Sequence, residues 1–230
     1  MDGRIGDEDM VQENINLEVV AIGSDDGINT YEIRRKSGNE GKKSLVIELY
    51  PTISTDRAGC MDLSTMHLMN HAGELGWSDI RIVNLYSTVF SGKPRISELS
   101  DAETSMAYIE EILEEYDIDE YDIVIAWGSA LASHKPTINL KIDILSMIKE
   151  KGIEKAVKCI STDNMYVQEV YGVHPLFLGL HFGKDEWQLI DYPIEDELKK
   201  LNDNLRLVHS DEPKGKRGRK KSVSKVKECA

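Results

Sequence analysis

Short apolar runs alternate along the chain with stretches in which apolar residues recur every three or four positions. Leu45 to Leu49, Ile80 to Leu85, Ile123 to Trp127 and Ala156 to Ile160 are nearly continuous apolar runs, the pattern of strands covered on both faces of a parallel sheet. Between the first two, residues 62 to 76 place Leu68, Ala72 and Leu75 on one helical stripe that stops at Gly76. Between the second and third, Ser100-Asp101-Ala102-Glu103 has the form of a capping box. Ala102, Met106, Ile109, Leu113 and Tyr116 follow at helical spacing, with Glu110, Glu111, Glu114 and Glu115 outward. Between the third and fourth, a helix opens at Thr137, carries Ile138, Ile142, Leu145 and Ile148, and ends at Gly152. The alternation predicts an α/β fold: three layers, α/β/α, around a central parallel sheet of about four strands.

The flanks are patterned differently. Leu17 to Ile22 and Asn29 to Arg35 are strand-like runs around Gly23-Ser24-Asp25-Asp26-Gly27, whose residues tolerate positive φ, so an N-terminal β-hairpin is expected. After residue 161 the pattern predicts a short helix near Asp163 to Tyr171, a strand over Trp187 to Tyr192 and a helix near Ile194 to Leu201. Residues 1 to 16 and the Pro, Gly, Lys, Arg and Ser beyond Asp211 offer little to bury. The expected organisation is an acidic disordered leader over 1–16, a single α/β domain over 17–202, and a linker with a basic disordered tail over 203–230.

Charge separates the tail from the rest. From Lys214 onward there are eight Lys or Arg against one acid, a balance of +7, so the residues before it carry −20 of the formal −13. An acidic body repels a phosphate backbone, whereas a basic arm is suited to holding one. Lys216, Arg217, Arg219, Lys220 and Lys221 resemble an AT-hook, a minor-groove-binding arm, except that Lys220 stands where that motif has Pro. Phosphate binding, an import signal and a merely solubilising end all fit this composition. Cys60, Cys159 and Cys229 share no CxxC spacing, and no run of about 18 apolar residues or signal-peptide pattern is present. A cytoplasmic protein outside the membrane follows, with nucleoid or nuclear association open through the tail. No GxGxxG, P-loop or Gly-x-Ser-x-Gly occurs, and His67, His71 and Glu74 lack the glutamate of the zinc-protease motif. Neither a cofactor nor a metal is expected.

In an open parallel sheet, ligands bind beyond the carboxyl ends of the strands. The loops there contain Tyr50-Pro51-Thr52, Asn84-Leu85-Tyr86, Trp127-Gly128-Ser129 and, later, His174-Pro175-Leu176. Glu48 interrupts its apolar run, and an unpaired buried carboxylate is costly. It is either a general base with a raised pKa near the rim, or a residue of an edge strand or ion pair. Asn84, at a strand end, either reads the edge of a base or bonds a neighbouring loop. His174 either stabilises a developing anion or is a hydrogen-bonded structural residue.

Tyr31 to Arg35, Tyr50-Pro51-Thr52, Asp62-Leu63-Ser64, Val83-Asn84-Leu85, Ala126-Trp127-Gly128 and His174-Pro175-Leu176, in this order, resemble the motifs of domain-of-unknown-function family 1643 over roughly residues 30 to 182. The first loop departs from that family, which has Asn-Pro-Ser where this chain has Tyr50-Pro51-Thr52. More distantly, the order of elements is similar to the uracil-DNA glycosylase superfamily. That resemblance implies a water-positioning residue at Tyr50, a mismatch, with Asn84 as base reader, His174 as electrostatic partner of the leaving group and Leu178 as a wedge into the base stack. The expected function is a nucleic-acid or nucleotide base-processing protein that hydrolyses an N-glycosidic bond. His174 and Glu48 would be catalytic, and Tyr50, Pro51, Asn84, Trp127, Gly128 and Leu178 base-binding. The alternative is a non-catalytic module binding DNA, RNA or nucleotide on the same scaffold.

Overall fold

The computed structural model describes residue 14 and residues 16–99, 101–115, 120–164 and 170–210. Seven strands form one sheet: β1 (Leu17–Gly23), β2 (Thr30–Ser37), β3 (Lys42–Glu48), β4 (Trp77–Asn84), β5 (Tyr121–Ile125), β6 (Val157–Thr162) and β7 (Trp187–Asp191), in the order β1-β2-β4-β3-β5-β6-β7. The four apolar runs are its middle, where β4, β3, β5 and β6 pair parallel. The expected sheet of about four parallel strands is thus the centre of a larger mixed one, because β1 and β2 add antiparallel on one side and β7 on the other.

Strand β2, expected from the strand-like run Asn29 to Arg35, carries charges that the sheet pairs. Arg81 donates to both carboxylate oxygens of Glu32 at 2.9 and 2.7 Å, and Arg34 grips Asp79 across the same strand pair. Tyr108 adds a hydroxyl to Glu32 at 2.8 Å. Diagonal ion pairs of this kind let charged residues occupy a strand that is nearly covered.

Among the described residues five α-helices accompany the sheet: α1 (Leu63–His71), α2 (Ala102–Glu114), α3 (Lys135–Glu150), α4 (Pro175–Phe182) and α5 (Ile194–Ser210). None among the described residues is long and apolar enough to cross a membrane. Alternate residues of β3 enter two separate cores, as the two-residue period of a strand requires. Leu45 and Ile47 pack with Ile109 and Leu113 of α2, Ile138, Ile144, Leu145 and Ile148 of α3, and Leu201 of α5. Val46 packs instead with Ile82, Val124 and Ile160, Leu68 of α1 and Leu178 of α4. Each such side chain, fully buried, contributes about 1.5–3 kcal/mol.

Helix ends depart from the sequence pattern in instructive ways. Helix α1 is capped by Asp62, whose carboxylate accepts from Thr65 N–H at 2.8 Å, and it closes at His71, before the turn through Gly76 at φ +72°. Ser100, the cap of the expected capping box, lies outside the described residues, and the N-cap of α2 is Asp101 in the left-handed conformation, φ 55°. Its carboxylate takes hydroxyls from Thr104 and Ser87, both at 2.7 Å, rather than a helix N–H. Helix α5 continues to Ser210, past the expected end near Leu201, because Leu198, Leu201 and Leu205 keep the helical stripe against the core. Residues 165–169, within the helix expected near Asp163 to Tyr171, lie outside the described residues, as do most of the leader and residues 211–230.

The strand order decides where a ligand can sit. The connection leaving β3 passes through α1 to β4, and the one leaving β5 passes through α3 to β6. Those two helices belong to different cores, so the chain diverges between β3 and β5 and leaves a crevice at their carboxyl ends.

Candidate functional site

A cavity of about 450 Å³ occupies that crevice. Its lining comes from the end of β3 (Glu48, Tyr50, Thr52), the cap of α1 (Asp62), the loop after β5 (Trp127 to Ala132), the segment entering α4 (Val170 to His174) and the facing sides of α3 and α5. Of the residues singled out in the sequence, Glu48, Tyr50, Trp127, Gly128 and His174 meet here. Apolar and aromatic walls with a few convergent polar groups suit a planar organic ligand of nucleotide size.

Glu48 ends β3 and is 5% exposed. Burial, reinforced by the Asp62 charge, pushes its carboxyl up to about 8, so at pH 7 it is mostly a neutral acid. Its Oε2 lies 3.9 Å from His174 Nε2, and its Oε1 has no hydrogen-bond partner. A buried polar atom without a partner beside a cavity is an opening for a ligand group.

His174 is the N-cap of α4. Its Nδ1 accepts from Leu176 N–H at 3.2 Å, which assigns the proton of the neutral ring to Nε2, the nitrogen turned to Glu48. Burial lowers its pKa further, with Asp62 opposing. The gap between the two groups is too long for a hydrogen bond, but a third polar atom off that line can touch both. Asp62 completes the group: besides capping α1 it accepts the Thr52 hydroxyl. The Asp62 carboxyl and the protonated one of Glu48 thus share one wall of the cavity.

Gly128 is there for steric reasons. It holds φ +63°, and a Cβ on it would lie 3.1 Å from His174 Cβ. Its N–H donates to Gly172 C=O at 2.8 Å, tying the loop after β5 to the segment that delivers His174. Trp127 is 4% exposed and forms a wall, while half-buried Tyr50 packs edge-on to Phe90 with centroids 5.8 Å apart. Burial raises the Tyr50 phenol.

The other expected base-binding residues are not brought to the cavity. Asn84 pairs in register with Glu48 but is 4% exposed, outside the lining, with Oδ1 buried and unpartnered. Pro51 is buried, and its carbonyl accepts Phe90 N–H at 3.0 Å. Leu178 is fully buried in the core with α1, where Leu68 and Val46 surround it, while its neighbours Leu176 and Phe177 reach the cavity. Lys216, Arg217, Arg219, Lys220 and Lys221 lie outside the described residues. His71 is a packing residue, stacked on Trp187 at 4.0 Å and bonded to Glu74 at 2.8 Å.

Among the lining residues to which sequence reasoning gave no site role are Asp62 and Lys141. Asp62 had a readable signal as an N-cap residue ahead of Leu63, but nothing local says it faces a cavity. Lys141 had a clearer one: it falls three residues after Ile138 and three before Ile144, on the buried stripe of α3. A lysine on an apolar stripe is unusual enough to question.

Among curated proteins none matches the chain. The family described as a protein of unknown function, DUF1643, matches residues 30–176, a span that runs from β2 to the start of α4 and contains Glu48, Tyr50, Asp62, Trp127, Gly128, Lys141 and His174. With well over half its length matched, the chain belongs to the DUF1643 family.

Proposed function

We propose that the cavity binds a nucleobase-bearing ligand and hydrolyses its N-glycosidic bond, on a three-layer α/β/α scaffold resembling that of the uracil-DNA glycosylases. The observation that carries this reading is the buried Glu48, protonated at neutral pH, beside His174 Nε2–H and within an aromatic cavity at the crevice between β3 and β5. Two carboxyls with opposed environments are the arrangement that divides acid from base. In this reaction the Asp62 carboxylate takes a proton from water as its oxygen bonds C1′. Glu48 gives its proton to the departing base, and the glycosidic C–N bond breaks. His174 Nε2–H stabilises charge on the leaving group. Tyr50 and Trp127 supply faces for the base. Glu48, read from sequence as a base, therefore acts as the acid at pH 7.

The second reading, a non-catalytic binding module for nucleotide or nucleic acid, is favoured by Tyr50 in the loop where relatives carry Asn, and by the burial of Asn84 and Leu178. Mass spectrometry of bases released from nucleosides, nucleotides and single-stranded DNA and RNA decides between them. Release by the wild type that drops about 10²–10⁴-fold in His174→Ala and Glu48→Gln, with both variants folded, supports hydrolysis. Ligand binding with no product leaves the binding module.

A further inference from the structure

Lys141 is not used by the chemistry above, yet it lines the same cavity. It lies in the middle of α3, is 5% exposed, and its Nζ donates to Gly128 C=O at 3.1 Å. The same nitrogen stands 5.3 Å from the centroid of the Trp127 ring. Among the described residues no carboxylate pairs with it. Glu197, whose charge acts on it from α5, is taken by Lys200 at 2.9 Å. An ammonium has three N–H groups, and a buried one without a counter-ion is costly. Burial lowers Lys141 to about 8, which still leaves it mostly charged at pH 7.

The cavity is also polar along its length. Glu48, Asp62 and His174 are supplied by the end of β3 and the caps of α1 and α4, the helices of one core. Lys141 and Lys200 come from α3 and α5, which pack on the other. A ligand lying across it meets the Glu48 and Asp62 carboxyls on one side, the aromatic Trp127 and Tyr50 between, and on the other Lys141 beside the Lys200–Glu197 ion pair.

We propose that Lys141 is the anchor for a phosphate group, so that the ligand is a nucleoside monophosphate held with its phosphate against α3 and its glycosidic bond toward Glu48. The phosphate supplies the counter-ion that the fold omits, and charge-assisted bonds of this kind are about twice as strong as neutral ones. The placement of the glycosidic bond rests on the function proposed above, whereas the phosphate site does not.

The test is isothermal titration of the full-length protein with adenosine and uridine, with their 5′-monophosphates, and with inorganic phosphate, on the wild type and on Lys141→Met and Lys141→Gln. The expected result is a wild-type preference for monophosphate over nucleoside of at least tenfold, which falls toward one in the variants. Equal affinity for nucleoside and monophosphate in the wild type overturns the anchor and leaves the base-binding reading standing. Phosphate binding that is lost in the variants, with no nucleoside binding at all, keeps the anchor and removes that reading. The wild-type ratio needs no variant, so a misfolded Lys141→Met leaves the test intact. No binding by any of the five probes overturns the proposal.

Discussion

Glu48 Oε2 and His174 Nε2 face each other at 3.9 Å, one at the end of the central strand β3 and the other at the cap of α4. Burial acts on both groups in the direction of the neutral form, fully on Glu48, whose carboxyl it raises to about 8, and partly on half-buried His174, whose imidazole it lowers. A pair that is uncharged in the empty cavity acquires charge only as a proton moves, which places the cost of charging at the step where a ligand is present to offset it.

The raised Glu48 pKa has a measurable cost in stability. The native state holds this proton more tightly than the unfolded chain, whose carboxyl titrates near 4.5. Below that pH both states are protonated and the group is neutral in its effect. Between 4.5 and about 8 the unfolded chain ionises Glu48 while the native state still holds the proton, so stability falls progressively and the loss is complete once the pH passes 8. Glu48→Gln removes the titration. The stabilities of variant and wild type should therefore agree near pH 4 and separate in the variant's favour by pH 9, by on the order of 2–5 kcal/mol, with the variant melting at the higher temperature. Thermal unfolding in a series of buffers reads it, and a constant difference across pH would mean that Glu48 titrates alike in the native and unfolded states, so that burial does not hold its proton.

Gly128→Ala tests the packing that positions His174. A side chain there meets a left-handed backbone, φ +63°, and His174 Cβ at 3.1 Å. The backbone alone costs about 1–2 kcal/mol, and the imidazole must shift. The expectation is a lower melting temperature together with weaker ligand affinity. Gly152→Ala, also at positive φ, has nothing within van der Waals reach, so it should lower the melting temperature without touching the cavity.

What was legible in the sequence follows from how local each signal is. The central strands were readable because Leu45 to Leu49 and its three counterparts are buried on both faces, which makes each a short, nearly continuous apolar run at regular spacing between amphipathic helices. The antiparallel β2 to β4 pairing was not, because Glu32 and Arg34 look like surface residues until Arg81 and Asp79 are placed beside them. At the site, Glu48, Tyr50, Trp127, Gly128 and His174 could be nominated because ends of parallel strands converge. Which strand-end residues face the crevice depends on strand order, and β4 lies on the far side of β3 from β5. That order sends Asn84 away from the cavity and lets α3 bring Lys141 into it.

Asn84→Ala follows from the same geometry. The side chain lies outside the cavity lining, and its Oδ1 is buried without a partner, so truncation removes an unsatisfied acceptor while opening a small void. These effects oppose each other, and the net change in stability is expected within about 1 kcal/mol. The Ser105 hydroxyl bonds the Asn84 backbone carbonyl and survives the change. Ligand affinity should move less than twofold by titration. A tenfold loss would place Asn84 at the ligand and restore the base-reading role.

The basic tail and the cavity make separable claims on phosphate. Deleting residues 212–230 removes all eight Lys and Arg found from Lys214 onward and leaves a strongly acidic protein. If the tail binds a nucleic-acid backbone, deletion should weaken binding to single- and double-stranded DNA and RNA and flatten the dependence of log affinity on log salt, by about 0.7–0.9 for each phosphate that the tail had neutralised. Mononucleotide binding at Lys141 should be unaffected, because that group is supplied by α3, inside the domain. Measuring both ligands at two salt concentrations on both proteins therefore separates a strand-binding arm from a nucleotide site. Polymer affinity with the same salt slope after deletion would remove the tail from binding and leave the acidic body to explain it, which its charge opposes.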